Sequence, residues 1–233
     1  MFKQLFDTES STYTYFIIDE ASKQALLIDP VASQVDLYLD LLKNTQGKLK
    51  YTLETHVHAD HITASGQLRE KLDAQTGVGA LCGAATADLQ LKNNDILTFG
   101  QQSIKVIATP GHTPGSVSYL WHDRVFTGDA LLINGCGRTD FQGGDAGTLF
   151  DSITHHIFSL PDETLVYPGH DYHGKRVSCV GQEKTLNPRL VNQSRITFIA
   201  MMAALNLPKP KMIDIAVPLN RRCGITEETI QQG

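Results

Sequence analysis

A mixed α and β fold, built as a single domain over residues 1–233, is what the sequence predicts, and three features predict it. Short apolar runs bounded by turn residues alternate with helix-like segments along the whole chain. No low-complexity linker or internal repeat divides it. Four of the apolar runs end in turns that each present histidine or aspartate.

In chain order, "TYTYFIID" alternates, "EASK" turns and "QALLIDPV" returns, which reads as a hairpin. "VDLYLDLLKNT" spaces Val35, Leu37, Leu39, Leu41 and Leu42 in a pattern compatible with a helix. "KYTLET" is a strand, "ASGQLREKLDAQTG" a helix stopped by Gly77, and "VGALCGA" another short strand. "ILTFG", "SIKVIATPG", "SVSYLWH" and "RVFTGDALLI" follow as strands separated by turn residues. In the second half, "GTLFDSITHHIFSL" reads as a helix, "TLVYPGH" as a strand and "QSRITFIAMMAALNL" as a late helix.

Composition narrows the function classes. A formal charge of −5 with no lysine or arginine run offers no field for nucleic acid. The N-terminus lacks an apolar signal-like segment and no 18-residue apolar stretch follows, so neither secretion nor membrane spanning is expected. The expectation is a cytoplasmic protein, with an organelle matrix left open. Cys82, Cys136, Cys179 and Cys223 form no CxxC pair, which argues for reduced thiols rather than a zinc ribbon or a disulfide frame.

The chemistry concentrates in "ETHVHADHIT", residues 54–63, which holds His56, His58, Asp60 and His61. Three further runs end the same way: "VIATPGHT" at His112, "RVFTGDALL" at Asp129 and "TLVYPGHDYHG" at His170. Turns at strand ends can bring such side chains to one rim of a sheet. Imidazole and carboxylate together suit iron, zinc or manganese. No packing demand gathers so many polar groups. His122, His155 and His156 read as ordinary turn and helix-face residues instead, and Tyr119 and Trp121 as sheet packing.

HxHxDH at 56–61 with His112, Asp129 and His170 resembles the metallo-β-lactamase superfamily. The resemblance implies a four-layer αβ/βα sandwich with a metal site at one edge of its two sheets. "THVHADHITASG", "GCGRTDFQ", "YPGHDYHG", "TLNPRL", "NLPKP" and "AVP" followed by "RCG" are similar to the ETHE1-type persulfide dioxygenases, also called sulfur dioxygenases, over residues 55–224. That similarity implies one Fe(II) per chain, held by His56, His112 and Asp129 as catalytic metal ligands, and oxidation of glutathione persulfide by dioxygen and water to sulfite and glutathione. His58, Asp60, His61 and His170 remain as a nearly complete second ligand set. They are expected to act as an outer shell, with a second metal as the alternative.

Glutathione carries two carboxylates, for which arginine forks are suited. Arg138, Arg222 and Tyr172 match positions that the family uses for glutathione, and a homodimer is expected on the same resemblance. Arg138 also has Asp140 nearby as a structural partner, and Arg221 reads as a solvated charge. Cys136 reads as the filling of a tight Gly-Cys-Gly turn rather than a sulfur carrier. Two other readings compete: a binuclear glyoxalase II-type hydrolase of glutathione thioesters, and a non-enzymatic metal or sulfur carrier. The chain after His170 is too short for a large separate helical domain, which weighs against the hydrolase.

Overall fold

The structure, a computed structural model, describes residues 1–225. Its first half builds β1 (Phe2–Asp7), β2 (Thr12–Ile18), β3 (Gln24–Ile28), α1 (Val35–Thr45), β4 (Lys48–Leu53), α2 (Ser65–Leu72), β5 (Gln75–Gly79) and β6 (Leu89–Leu91). These strands form one sheet in the order β1-β2-β3-β4-β5-β6, antiparallel as far as β3 and parallel from β3 onward. The remainder adds β7 (Ile96–Phe99), β8 (Gln102–Ala108), β9 (Val117–Trp121), β10 (Arg124–Gly128), α3 (Ala146–Ser152), β11 (Leu165–Pro168), β12 (Ser178–Cys179), α4 (Val180–Leu186), α5 (Arg195–Ala203) and α6 (Ile213–Asn220). Its sheet runs β12-β11-β10-β9-β8-β7, with β10 and β11 parallel.

Alternation along the strands explains why the sheets stack. In β2, Tyr13, Tyr15 and Ile17 point into a cluster shared with Phe99, Ile104, Val106, Tyr119 and Phe126 of the other sheet. Phe16 and Ile18 point the opposite way, onto Tyr38, Leu42 and Leu68 of α1 and α2. A third cluster joins Val125 and Val166 to Leu149 and Phe198 of α3 and α5. Helix, sheet, sheet and helix therefore form the four expected layers.

Several element boundaries differ from the sequence reading. Asp73 adopts a left-handed conformation (φ 55°) and ends α2 at Leu72, so the helix does not reach Gly77. Residues 75–79 form a strand instead, because this segment fills a buried slot parallel to β4. The turn at 80–84 takes the place of the rest of the "VGALCGA" strand. The "RVFTGDALLI" strand stops at Gly128, and the Ala130 N–H bonds back to the Thr127 carbonyl to close a turn. α3 ends at Ser152 and passes into a π-helical turn over Ile153–Ile157. β1, β6, β12, α4 and α6 were not anticipated, and α6 was masked by an internal Pro218, which ordinarily argues against a helix.

Candidate metal centre

Each loop that carries a donor leaves the end of a strand. β4 feeds the 54–64 loop, β8 leads to His112, β10 to Asp129 and β11 to His170, so both sheets deliver donors to one edge. Gly111 permits the turn that aims His112: its φ is +132°, and a Cβ there would lie 2.3 Å from the main chain of Leu149.

His56, His112 and Asp129 bring one ligand atom each to within 4.8 Å of one another. Their outer contacts decide which atoms face inward. Nδ1 of His112 lies 2.6 Å from the Arg138 carbonyl, which can only accept, so Nδ1 carries the proton and Nε2 keeps its lone pair. The Thr55 hydroxyl donates to Asp29 at 2.8 Å and its oxygen receives Nδ1 of His56 at 3.0 Å, with the same result. His56 is buried, and burial holds its pKa well below the usual histidine value, an effect reinforced by His58 and His112. Neutral imidazole is the ligating form. Nε2 of His112 stands 3.6 Å from Asp129.

The second donor set is only partly assembled. His58, Asp60 and His170 also bring ligand atoms within 4.8 Å of one another, and Nε2 of His170 lies 3.5 Å from Asp129 and 3.7 Å from Asp60. His61 joins no such group among the described residues; its Nδ1 is bonded to Asp60 at 2.8 Å and its Nε2 is buried without a hydrogen-bond partner. Asp60 also accepts the Thr12 hydroxyl at 3.0 Å. Burial would raise the Asp60 pKa, but His170 and His61 hold it well below the carboxylate norm. Nε2 of His58 sits between Asp29 (3.1 Å) and Glu54 (3.2 Å). Burial alone would lower the pKa of His58, and the two carboxylates override it and raise it well above normal.

These residues fit a bound cation. Oδ1 of Asp129 and Nε2 of His61 are buried without a hydrogen-bond partner among the described residues, a costly arrangement unless something accepts their lone pairs. Two histidines and one carboxylate form the ligand set typical of non-haem Fe(II), with positions left open for reactants.

The residues expected to hold glutathione are placed as follows. Arg138 already pairs with Asp140 through two 2.7 Å bonds, donates to the Pro208 carbonyl at 2.7 Å and lies over the Phe141 ring. Tyr172 is 68 % exposed and stacks parallel on His170, with ring centroids 6.1 Å apart, at the rim of the centre. Arg222 lies exposed on the turn after α6. Cys136 is buried against Met202 and its pKa is pushed up to about 12 by burial, which suits packing rather than reactivity. His155 and His156 are exposed, and His122 bonds Gln102 on the surface. Sequence reasoning missed Asp29, Glu54, Thr12, Thr55, Gln142 and Asn220, all of which hold donors or their loops. Only Asp29, a carboxylate ending an apolar strand before Pro30, carried a signal of its own.

The metallo-beta-lactamase superfamily profile matches residues 7–170. The chain is 49% identical to mitochondrial persulfide dioxygenase ETHE1 of Mus musculus, covering 97% of this chain and 89% of that protein. It is 47% identical to the Homo sapiens protein of the same name, covering 98% and 91% respectively. A crystal structure of ETHE1 from Myxococcus xanthus superposes with a TM-score of 0.95 at 56% identity, covering 97% of this chain and all of that one.

Proposed function

The chain belongs to the metallo-β-lactamase superfamily and, within it, to the persulfide dioxygenases, and from that premise we propose that it uses one Fe(II) to oxidise glutathione persulfide. The carrying observation is the trio His56, His112 and Asp129, in which the two Nδ1 atoms are engaged outside and the Nε2 atoms face in. Glutathione persulfide, dioxygen and water become glutathione, sulfite and two protons. Fe(II), when bound, supplies the redox chemistry that a reaction between triplet dioxygen and a singlet persulfide needs and that zinc lacks.

The remaining work falls to the protein. His56, His112 and Asp129 would hold the metal as a two-histidine, one-carboxylate set, a ligand set that leaves positions for reactants. Asp60 and His170 lie beside Asp129, where they would hold a water by hydrogen bonding and keep the site polar. Tyr172, exposed at the rim, donates its phenol proton toward the persulfide in a hydrogen bond. Arg138 and Arg222 take the glutathione carboxylates. A hydrolytic reading of the same centre needs His61 as a donor to a second metal, and His61 joins none of the close ligand groups among the described residues.

No helix among the described residues is long and apolar enough to cross a membrane. The enzyme works in the cytoplasm or an organelle matrix, as a homodimer that binds no nucleic acid.

The deciding experiment is an oxygen-electrode trace of Fe(II)-loaded protein on addition of glutathione persulfide, with sulfite assayed as product. Rapid uptake, abolished by His112→Ala, is the expected result. Absence of uptake by iron-replete protein would overturn the proposal.

A further inference from the structure

The loop from His58 to Thr63 holds three donors, yet its own main chain forms few regular hydrogen bonds. Buried main-chain polar groups must find partners, so the question is which groups supply them. The amide of Asn220, the last residue of α6 and 5% exposed, supplies three. Its Nδ2 donates to the carbonyl of His58 at 2.9 Å and to that of His61 at 2.8 Å. Its Oδ1 accepts the main-chain N–H of Thr63 at 2.9 Å. Both of its donor hydrogens are thereby spent on the loop, one on each side of Asp60.

The grip extends beyond one side chain. Three residues on, the carbonyl of Cys223 accepts the Gly66 N–H at 2.8 Å, at the start of α2. A Cβ on Gly66 would meet that carbonyl at 2.6 Å, and one on Gly224 would meet the Thr63 carbonyl at 2.2 Å. The end of α6 and the loop therefore touch backbone to backbone, a closeness that only glycine allows at these points. On the other flank Gln142 donates to the Val57 carbonyl at 2.8 Å. The two amides take the carbonyls of Val57, His58 and His61, in the same short segment as His56 and Asp60.

We propose that Asn220 is a positioning residue for the metal centre: it sets the pitch of the 58–63 loop, and with it the placement of His56, His58 and Asp60, from the C-terminal helix. The proposal rests on the metal-centre reading given above. It assigns α6 a role distinct from substrate binding, since among the described residues the Asn220 side chain hydrogen-bonds main chain. Outer hydrogen-bond partners of metal ligands are worth about 10- to 100-fold in metal affinity, and a residue that places a whole ligand loop belongs in that range.

The test uses the full chain and Asn220→Asp, which keeps the volume and the acceptor for Thr63 but loses both N–H donors. Fe(II) affinity is measured anaerobically by chelator competition, well below the melting transition, with near-UV circular dichroism reporting the fold. The expected result is a native-like spectrum and Fe(II) affinity about 10- to 100-fold weaker, with faster amide exchange at 57–64 in the loaded protein. A merely structural role would lower the melting temperature and leave the affinity of the folded variant unchanged, which overturns the proposal. If Asn220→Asp does not fold, Asn220→Ser, which retains one short donor, is read in the same way. A wild-type chain that takes up no Fe(II) overturns this proposal and the metal-centre reading together. Wild-type binding with an equally tight, folded variant overturns this proposal alone.

Discussion

Asp29 accepts hydrogen bonds from both the main-chain N–H and the hydroxyl of Thr55, at 2.7 and 2.8 Å. That pairing turns the Thr55 oxygen toward Nδ1 of His56 and so points Nε2 at the centre. Asp29 also receives Nε2 of His58, which makes one buried carboxylate the orienter of two histidines. Thr55→Val removes the hydroxyl at nearly constant volume and is expected to weaken Fe(II) binding about 10- to 100-fold, whereas Thr55→Ser retains it. Chelator competition on the two variants measures the difference. Equal affinities for Val and Ser would remove the hydroxyl from the account.

Arg138 is already engaged by Asp140, so the glutathione carboxylate proposed to bind there would have to compete for the same fork. Asp140→Asn weakens the competitor and is expected to lower KM for glutathione persulfide with kcat unchanged. Arg138→Ala should raise KM. Because the guanidinium also donates to the Pro208 carbonyl, the alanine variant should lose about 1 kcal/mol of stability as well. Initial-rate kinetics on both variants provide the check, and unchanged KM in each would exclude Arg138 from the glutathione site.

Removal of metal should leave the sandwich intact while exposing the cost of its orphaned donors. The inter-sheet cluster of Tyr15, Leu26, Phe99 and Phe126 lies in the layers and makes no use of the centre. Asp129, His58 and His61, by contrast, each retain a buried atom without a hydrogen-bond partner among the described residues. A cation that binds only the folded chain stabilises it by about 2.7 kcal/mol at one hundred times its dissociation constant. Differential scanning fluorimetry should therefore show a cooperative transition in metal-free protein that rises with added Fe(II). A metal-free chain without a cooperative transition would contradict this.

The strands ending in His56, His112, Asp129 and His170 could be read from the chain because each couples an apolar run to a turn and a donor. The four layers followed from that alternation and from the superfamily resemblance. Three things were not legible. Asp73 stops α2 through its backbone conformation, which nothing in "KLDAQ" announces. His61 carries the same motif signature as its neighbours, yet it joins neither donor group, a matter of local geometry rather than residue type. Asn220 lies about 160 positions from the carbonyls it binds, and a lone asparagine behind Pro218 has no periodicity or motif to flag it. Side chains that serve main chain across the fold are the part that a linear reading loses.

Gly111 offers a last test, because it joins backbone strain to ligand placement. It has φ +132°, and a Cβ would fall 2.3 Å from both N and Cα of Leu149, atoms of α3 that cannot swing aside. Overpacking of this kind costs about 1–3 kcal/mol, and an alanine in this backbone region adds about 1–3 more. Gly174 is the control, with φ +75° and nothing within 4 Å of its Cβ position, so only the backbone contribution applies there. Gly111→Ala should lower the urea midpoint clearly more than Gly174→Ala. It should also weaken Fe(II) binding, since His112 follows directly on the displaced turn. Equal midpoint shifts in the two variants would mean that α3 yields to the new methyl group, and that the close approach of Leu149 does not fix the position of His112.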